Sequence, residues 1–273
     1  LSLVRRAPHT IVCRDDTSFE DVARAAHART TYGTHAEADW HLVETSPRPG
    51  GQEVRIRTPA GEECSAFLPL VGTYNALNAL AAIAVATHEG VGLAQAVERL
   101  ASFPGIRGRM QRIQSEPFQV LVDFAHTGPA LAKALDAVKA TAERVLLVIG
   151  AAGERDRGKR VPLAEAAMAG ADLTIFTEED ARSEDPDAIL ADLARAATAA
   201  GGREGASFLV VPDRREAIRE AIARATRGSL VLLAGKGHES TLERADVTLA
   251  WDEAAEARAA LLQRVDGHDR SLE

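Results

Sequence analysis

The sequence is poor in cysteine and has no long apolar run, and each shortage excludes a class of protein. Only 2 of its 273 residues are cysteines, Cys13 and Cys64, and they show no metal-binding spacing. Both lie in apolar, strand-like segments, which indicates buried free thiols of a reducing compartment, so we expect a cytoplasmic protein. No apolar run approaches the roughly 20 residues of a membrane span, and no secretory signal is visible in residues 1–10. We therefore expect no membrane partner.

The sequence also lacks an excess of basic residues. Lys and Arg number 32 against 40 Asp and Glu, which gives a formal net charge of −8. This acidic balance argues against a nucleic-acid partner, although local basic loops can still bind anionic substrates. An initiating methionine is absent as well, because the chain begins at Leu1, and we expect a fragment of a longer protein. The length of 273 residues, 46% of them hydrophobic, suggests about two globular domains.

Short strands and turns dominate the first part of the chain. Apolar alternation and turns rich in Pro and Gly predict a strand at 10–13, a helix at 18–29, a strand at 30–32 and an antiparallel meander at 40–44, 53–57 and 64–70. Helices are predicted at 72–88 and 93–100. Pro and Gly then cluster at 104–109, which predicts a domain boundary between residues 1–105 and 106–273.

Apolar strands alternate with amphipathic helices in the second part. Strands are predicted at 118–124, 145–149, 173–177, 208–211 and 230–234, with a weaker sixth at 246–250. Helices are predicted at 129–140, 162–169, 187–200, 214–226 and 253–264. This alternation is typical of an α/β domain with a mostly parallel, helix-flanked sheet. The segments that follow parallel strands converge on one edge of such a sheet, where α/β folds bind ligands.

The segment after the second of these strands comes close to a phosphate-binding P-loop. Gly153, Gly158 and Lys159 fit the pattern G-x-x-x-x-G-K, but Arg160 stands where a Ser or Thr would bind magnesium. The interior residues Glu-Arg-Asp-Arg are also bulky and charged, whereas a P-loop favours small residues there. We interpret the segment as an anion-binding loop rather than a nucleotide P-loop. A solvated charged loop is the alternative.

Charged and imidazole side chains follow the strands of the predicted sheet. They are Asp123 and His126 after the first strand, Glu154, Arg155 and Asp156 after the second, Glu178, Glu179, Asp180 and Arg182 after the third, and Lys236, His238 and Glu239 after the fifth. Two glycines around Lys236 make a flexible turn that can bind an anion, and His-Glu offers proton transfer or amine recognition. The mixture of guanidinium groups and carboxylates favours a ligand with both charge signs, such as an amino acid.

Two asparagines open the apolar helix predicted at residues 72–88. Asn75 and Asn78 are three residues apart and therefore share one helical face near the N-terminus. Because Asn is a weak helix former, the pair indicates one of two roles. The first is ligand binding. The second is structural, with Asn75 as a cap and Asn78 as a hydrogen-bonded core amide.

Five short motifs occur in a fixed order: G-T-Y-N-A-L-N at 72–78, G-R-M at 108–110, V-D-F-A-H-T at 122–127, G-E-R-D-R-G-K-R at 153–160 and G-K-G-H-E at 235–239. Together they resemble the motifs of the MurE-type Mur ligases, the UDP-N-acetylmuramoyl-dipeptide amino-acid ligases (tripeptide synthetases) of peptidoglycan synthesis. The family's forms are G-x-x-N-x-x-N, G-R-M, V-D-Y-A-H-T, G-D-R-D-x-G-K-R and G-K-G-H-E. The resemblance spans about residues 10–264.

The resemblance implies the rear part of a Mur ligase central ATPase domain in residues 1–105 and a Rossmann-like Mur ligase C-terminal domain in residues 106–273. It also implies an ATP-dependent, ADP-forming ligase. ATP would phosphorylate a carboxylate of UDP-N-acetylmuramoyl-L-alanyl-D-glutamate, and the amine of an incoming diamino acid would attack the acyl phosphate. The family's P-loop and Mg²⁺-binding residues would precede Leu1, so we expect the chain alone to be inactive.

The resemblance further implies a role for each motif residue. Residues that would contact the nucleotide are Asn78 at the adenine, Asp123 at the ribose, Arg109 and His126. Residues that would bind the far end of the diamino acid are Arg155, Glu179, Asp180, Arg182, Gly235 and Glu239. Lys236 and His238 lie in the same loop and are the candidate catalytic residues. The resemblance implies no metal ligand within this chain.

One departure from the family bears on the amino acid that is added. The family's D-N-P-R appears here as Glu179-Asp180-Ala181-Arg182. The retained Arg182 suits meso-diaminopimelate, whose second carboxylate it can bind, whereas the extra negative charge of Asp180 favours lysine or ornithine. The sequence leaves all three open.

Two other functions are the alternatives. One is a re-specialised or non-catalytic paralogue that binds nucleotide or a partner. The other is a polyglutamate-adding or cyanophycin-type ligase of the same superfamily, against which the motifs at 122–127 and 235–239 argue.

Overall fold

The chain folds into two units, Leu1–Pro104 and Gly105–Glu273, each with its own sheet and core. A computed structural model describes residues 1–48 and 50–269. Among these residues, no helix combines the length and the apolar character needed to cross a membrane.

Unit one contains a five-stranded sheet with the order β1-β2-β3-β4-β5. The strands are β1 (Thr10–Cys13), β2 (Arg29–Gly33), β3 (Trp40–Arg48), β4 (Gly51–Arg57) and β5 (Glu63–Leu68), and the helices are α1 (Phe19–Ala25), α2 (Thr73–His88) and α3 (Leu93–Ala101). Strands β3, β4 and β5 form the antiparallel meander that the turns predict. Strand β2 instead runs parallel to both β1 and β3.

The first helix is shorter than the predicted segment 18–29. Helix α1 ends at Ala25, and Ala26 already has an extended backbone with ψ 137°. The chain turns away because Arg29 pairs with Thr10 as the first residue of β2. The Arg29 side chain also donates a hydrogen bond to the Ala23 carbonyl at 3.1 Å. Tertiary strand pairing therefore overrides the helical pattern of the sequence.

Helix α2 packs against the sheet of unit one. Its residues Leu80 and Ile83 are buried in the same core as Val54, Ile56 and Leu68 of the sheet. Val54 and Ile56 alternate with more exposed residues along β4, which is the pattern of a strand with one buried face.

Unit two contains a six-stranded sheet with the order β10-β9-β8-β11-β7-β6. The strands are β6 (Gln111–Gln114), β7 (Gln119–Val122), β8 (Arg144–Ile149), β9 (Leu173–Phe176), β10 (Phe208–Val210) and β11 (Ser229–Leu233). The helices are α4 (Gly128–Lys139), α5 (Arg160–Gly170), α6 (Pro186–Ala199), α7 (Arg214–Arg224) and α8 (Glu253–Asp269). All neighbouring strands are parallel except β6, which is antiparallel to β7. The predicted α/β class with a mostly parallel six-stranded sheet is confirmed.

The sixth predicted strand forms, but it lies outside the six-stranded sheet. The segment predicted at 246–250 forms β13 (Val247–Ala250), which pairs with β12 (Thr241–Arg244) in a separate antiparallel hairpin. The sixth strand of the sheet is β6, whose sequence Gln-Arg-Ile-Gln contains a single apolar residue. Because β6 lies at the edge of the sheet, it has a neighbour on one side only and needs no continuous apolar run.

A fully buried ion pair connects two strand ends to two helices in unit two. Arg214 opens α7 and Glu253 opens α8, and Arg214 Nη2 lies 2.7 Å from Glu253 Oε1, with both side chains 0% exposed. Arg214 also donates to the carbonyls of Glu178 at 3.2 Å and Ala234 at 2.7 Å, the residues that follow β9 and β11. Trp251 Nε1 donates to Glu253 Oε2 at 2.6 Å. The pair thus fixes the carboxyl ends of two strands.

Removing one partner of this pair should destabilise unit two strongly. Arg214→Met leaves the Glu253 carboxylate buried without its counter-charge, and we expect a loss of about 3–5 kcal/mol in the free energy of unfolding. The measurement is urea unfolding followed by Trp251 fluorescence in a Trp40→Phe background, which leaves one tryptophan. Arg219→Met is the control, since Arg219 forms a partly exposed pair with Glu216 on the same helix. The control should change stability by less than about 0.5 kcal/mol. Equal effects of the two substitutions would refute the structural importance of the buried pair.

Candidate functional site

The segments that follow β8 and β9 are in direct backbone contact at the carboxyl edge of the sheet in unit two. Gly153 N donates to the Asp180 carbonyl at 2.8 Å. A Cβ atom at Gly153 would lie 2.1 Å from the carbonyl oxygen of Ala181, so a larger residue does not fit. This close approach explains the glycine that follows the buried strand β8.

The segment after β11 is packed as closely against two other segments. Gly235 has φ +101°, and a Cβ atom there would lie 2.6 Å from Glu179 Oε2. Gly237 has φ +52°, a left-handed conformation that glycine adopts without strain. A Cβ atom at Gly108 would lie 2.1 Å from His238 N. The structure therefore brings the segments 108–110, 179–182 and 235–239 together.

Lys236 is fully buried between two carboxylates. Its Nζ lies 2.7 Å from Asp180 Oδ1 and 2.9 Å from Glu239 Oε2, and the side chain is 0% exposed. An ammonium removed from water needs such counter-charges, because burial disfavours the charged form. Asp180 Oδ1 also accepts a hydrogen bond from Glu243 N at 2.9 Å. One ammonium group thus links predicted site residues that follow two different strands.

Arg182 is held by protein atoms on three sides. Its Nε donates to Glu243 Oε2 at 2.9 Å and its Nη1 donates to the Gly153 carbonyl at 2.8 Å. Its Nη2 lies 3.9 Å from Asp180 Oδ2. Arg182 also has φ +53°, a left-handed conformation that costs a non-glycine residue roughly 1–2 kcal/mol. Arg182 N donates to the Glu243 carbonyl at 3.1 Å, which helps to hold this backbone.

Glu179 is buried, and its Oε2 atom has no hydrogen-bond partner among the described residues. Burial raises the pKa of the Glu179 carboxyl, and the neighbouring Asp180 and Glu239 act in the same direction. Arg214 and Lys236 oppose this effect and lower the pKa. The desolvation of a carboxylate with an unpaired oxygen favours the protonated form, which carries no negative charge.

A second ion pair and a cavity lie beside this cluster. Glu178 receives two hydrogen bonds from Arg244, from Nε at 2.8 Å and from Nη2 at 2.6 Å. Next to them is a cavity of about 520 Å³, whose lining includes Glu178, Arg182, Glu184, Asp213 and Arg244. The cavity therefore adjoins Arg182, and both acidic and basic groups line it.

Asp123 organises the segment after β7. Its Oδ2 accepts from Met110 N and its Oδ1 accepts from Ala125 N, both at 2.8 Å. Burial raises the pKa of the Asp123 carboxyl, while these main-chain hydrogen bonds and Arg109 lower it. Met110 has φ +44°, so the Asp123 contact holds a strained residue of the G-R-M motif in place.

The ring of Phe124 gathers three of the predicted site residues. The Arg109 guanidinium carbon lies 4.5 Å from the centre of the Phe124 ring, a cation–π contact. The rings of His126 and His238 lie 4.6 Å and 4.9 Å from the same ring, centre to centre. His126 Nδ1 is 2.8 Å from the Phe124 carbonyl, and because a carbonyl only accepts, Nδ1 is the donor. All three side chains around Phe124 belong to exposed residues.

The segment after β8 contains both exposed and buried arginines. Arg155 is exposed, and among the described residues it forms no hydrogen bond or ion pair. Arg160, which stands where a P-loop has Ser or Thr, is buried, and its guanidinium donates to Asp192 and Glu184, each at 2.8 Å. Arg160 is therefore part of the packing of α5 and does not face a ligand.

The two asparagines belong to unit one. Asn75 does not cap α2, because the N-cap is Gly72 and the Asn75 Nδ2 donates to the Val71 carbonyl at 2.8 Å. Asn78 is exposed, so the interpretation as a core amide was wrong. An exposed amide on the first turns of the helix remains available to a ligand.

Sequence reasoning missed Glu243 and the organising role of Phe124. Glu243 lies on β12, 63 residues after Asp180, and a short polar strand carries no signal that it contacts Asp180 and Arg182. Phe124 was visible only as part of the motif V-D-F-A-H-T. Within residues 1–48 and 50–269, no group of three or more His, Cys, Asp or Glu side chains is placed to hold a metal ion.

Comparison with known proteins identifies relatives along most of the chain. Residues 1–86 match the Mur ligase middle domain, and residues 108–237 match the family described as Mur ligase, glutamate ligase domain. The UDP-N-acetylmuramyl-tripeptide synthetase of Roseiflexus sp. (strain RS-1) is 46% identical over 247 residues, 90% of this chain and 48% of the relative. The protein of the same name from Deinococcus radiodurans is 44% identical over 268 residues, 96% of this chain and 54% of the relative. The chain thus spans about half the length of these relatives.

Solved structures agree with these relatives. A UDP-N-acetylmuramoyl-L-alanyl-D-glutamate–2,6-diaminopimelate ligase matches with a TM-score of 0.65 and 30% identity, covering 94% of this chain and 53% of that protein. The MurF ligase of Thermotoga maritima, solved in complex with ADP, matches with a TM-score of 0.69 over 97% of this chain and 56% of that protein. Its identity is 15%, so this second likeness concerns the fold alone. Because the family matches and the relatives agree along the sequence, the chain belongs to the Mur ligase family and is of the MurE type.

Proposed function

We propose that the protein containing this chain is an ATP-dependent, ADP-forming ligase that adds a diamino acid to UDP-N-acetylmuramoyl-L-alanyl-D-glutamate in peptidoglycan synthesis. The observation that carries the proposal is the charged edge of the sheet in unit two. There Lys236 and Arg182 lie among the carboxylates of Asp180, Glu239 and Glu243. An edge with both charge signs suits a zwitterionic amino acid. Relatives named for tripeptide synthesis and for 2,6-diaminopimelate ligation support the same class of substrate.

The proposed reaction has two steps. The terminal phosphoryl group of ATP is transferred to a carboxylate oxygen of the UDP-linked dipeptide, which gives ADP and an acyl phosphate. The amine of the diamino acid then attacks the acyl carbon, the bond from that carbon to the phosphate oxygen breaks, and an amide, phosphate and a proton result. Mg²⁺ would neutralise phosphate charge in the first step. The described residues offer no ligand cluster that fits this ion, so we assign it no residue of this chain.

Residues around Phe124 suit a nucleotide. Arg109 is exposed and forms no salt bridge among the described residues, so its guanidinium is available for a phosphate or a ribose oxygen. The Asp123 carboxylate accepts main-chain hydrogen bonds from Met110 and Ala125, and its remaining lone pairs can accept from a ribose hydroxyl. Neutral His126 has Nε2 free as an acceptor, because Nδ1 is the donor to Phe124. Asn78, which lies in unit one, stays a separate prediction for adenine binding.

Residues after β8, β9 and β11 suit the amino acid. Arg155, exposed and without an ion pair, would bind a carboxylate. Asp180 and Glu239 would face an ammonium group, with Glu179 behind Gly235. Because Lys236 has no exposed surface, we assign it the positioning of these two carboxylates rather than contact with the substrate. His238 is exposed and remains the candidate catalytic residue.

The free thiols of Cys13 and Cys64 fit a cytoplasmic location, where ATP and UDP-linked precursors are present. We propose this location and expect neither a membrane nor a nucleic-acid partner.

The complete protein should release ADP only when an amino acid is supplied. We expect turnover in the presence of ATP, Mg²⁺ and UDP-N-acetylmuramoyl-L-alanyl-D-glutamate with at least one of meso-diaminopimelate, lysine and ornithine, because these carry the charges that the site is built to bind. ADP release is followed in a coupled assay, with the amino acid omitted as the control. If a folded protein that still binds ATP released no ADP with any of the three amino acids, this result would contradict the proposal and favour a re-specialised or non-catalytic paralogue.

Glu239→Gln in the complete protein should impair amino-acid use and spare the nucleotide. The substitution removes a negative charge that would face the ammonium, so we expect the KM for the amino acid to rise about tenfold. The Kd of ATP, measured by calorimetry, should stay within about twofold, which is the limit for an uninvolved surface charge. Glu256→Gln is the matched control, because Glu256 also pairs with a cation, Arg215, but on the helices α7 and α8. An equal loss of ATP affinity in Glu239→Gln would show that Glu239 is misplaced.

A further inference from the structure

Glu243 contacts both Asp180 and Arg182, the two residues of the E-D-A-R segment with opposite charges that would influence which amino acid binds. Its main-chain N donates to Asp180 Oδ1 at 2.9 Å, and its carbonyl accepts from Arg182 N at 3.1 Å. Its side-chain Oε2 accepts from Arg182 Nε at 2.9 Å. The hairpin of β12 and β13 thus reaches into the amino-acid end of the site, and its contribution is a carboxylate.

This carboxylate changes what Arg182 can do. To clamp the carboxylate of a ligand, a guanidinium group presents two parallel N–H donors. In this protein Nε of Arg182 is engaged by Glu243, Nη1 is engaged by the Gly153 carbonyl, and Nη2 lies 3.9 Å from Asp180. The positive charge is therefore balanced before any ligand arrives, and the Nε donor is no longer available to a ligand carboxylate.

The charges of the cluster leave an excess of carboxylate. Asp180, Glu239 and Glu243 are set against the two cations Lys236 and Arg182, while Glu179 has a raised pKa and contributes least. Such a cluster attracts a cationic group and repels an anionic one. The exposed Arg155, which forms no ion pair among the described residues, is left for the α-carboxylate that every amino acid carries.

We propose that Glu243 is a specificity-determining residue, which neutralises Arg182 and directs the site towards an amino acid whose side chain ends in a bare ammonium. A side chain with a second carboxylate, as in meso-diaminopimelate, is disfavoured. The proposal rests on the function proposed above and deepens it. It assigns to β12 a part in substrate choice that the motif of residues 179–182 does not contain.

The Glu243 side chain can be changed without removing the anchor of the hairpin. The main-chain N and carbonyl of Glu243 form the hydrogen bonds that connect β12 to Asp180 and Arg182. The side chain of Glu243 is 39% exposed. In Glu243→Gln the amide oxygen still accepts from Arg182 Nε, so the substitution removes charge and little else.

The test is a comparison of kcat/KM for lysine, ornithine and meso-diaminopimelate in the complete protein. We expect the wild type to favour lysine or ornithine. Glu243→Gln should shift the ratio towards meso-diaminopimelate by a factor of about five, the size of a partly exposed charge interaction. Glu220→Gln is the matched control, because Glu220 pairs with Arg224 through the same Nε atom and its side chain is also 39% exposed. The control should leave the ratio unchanged.

A double-mutant cycle separates charge neutralisation from a structural effect. If Glu243 acts through Arg182, the shift caused by Glu243→Gln should disappear in an Arg182→Ala background. A shift that persists there, an unchanged ratio in Glu243→Gln, or a wild type that prefers meso-diaminopimelate would overturn this inference and leave the ligase proposal standing. Absence of turnover with every amino acid would refute the ligase proposal and this inference with it.

Discussion

A buried ammonium requires counter-charges, and in this protein that requirement ties together the segments that follow two strands. Lys236 follows β11 and Asp180 follows β9, and the two side chains form an ion pair. Their separation would take the nearest counter-charge from both groups and leave Lys236 with Glu239 alone, at a cost of several kcal/mol. The two segments therefore hold one arrangement, and Glu239 is placed beside them as a consequence. The geometry of this charged edge of the sheet depends on that contact.

A second buried cation, Arg214, supports the contact between Lys236 and Asp180. Arg214 donates to the carbonyl of Glu178, in the segment that contains Asp180, and to the carbonyl of Ala234, in the segment that contains Lys236. The glycines at 153 and 235 then allow the backbones to approach where a Cβ would collide. Counter-charges and close packing thus hold the same few atoms in one arrangement.

The sequence predicted the elements whose signal is local and missed those defined by pairing. Buried parallel strands such as β8 stand out as apolar runs, and the sequence alone predicts that the charged residues after them lie at one edge of the sheet. The edge strand β6 and the hairpin strand β12 are short and polar, so no periodicity marks them. Glu243 could not be found for the same reason, because its role depends on β12 lying beside Asp180 and Arg182. The exposure of Asn78 likewise depends on how α2 packs.

The retained arginine of the E-D-A-R segment is therefore a weak guide to the amino acid by itself. A guanidinium attracts a carboxylate only while its charge is unbalanced, and Glu243 balances Arg182 here. The replacement of Asn by Asp at position 180 acts in the same direction, because it places a second carboxylate within 3.9 Å of the same guanidinium. Two carboxylates from separate parts of the chain thus oppose the preference that the arginine alone suggests. In the proposed ligase, substrate choice would depend on the sum of charges around Arg182, and the motif contains only part of that sum.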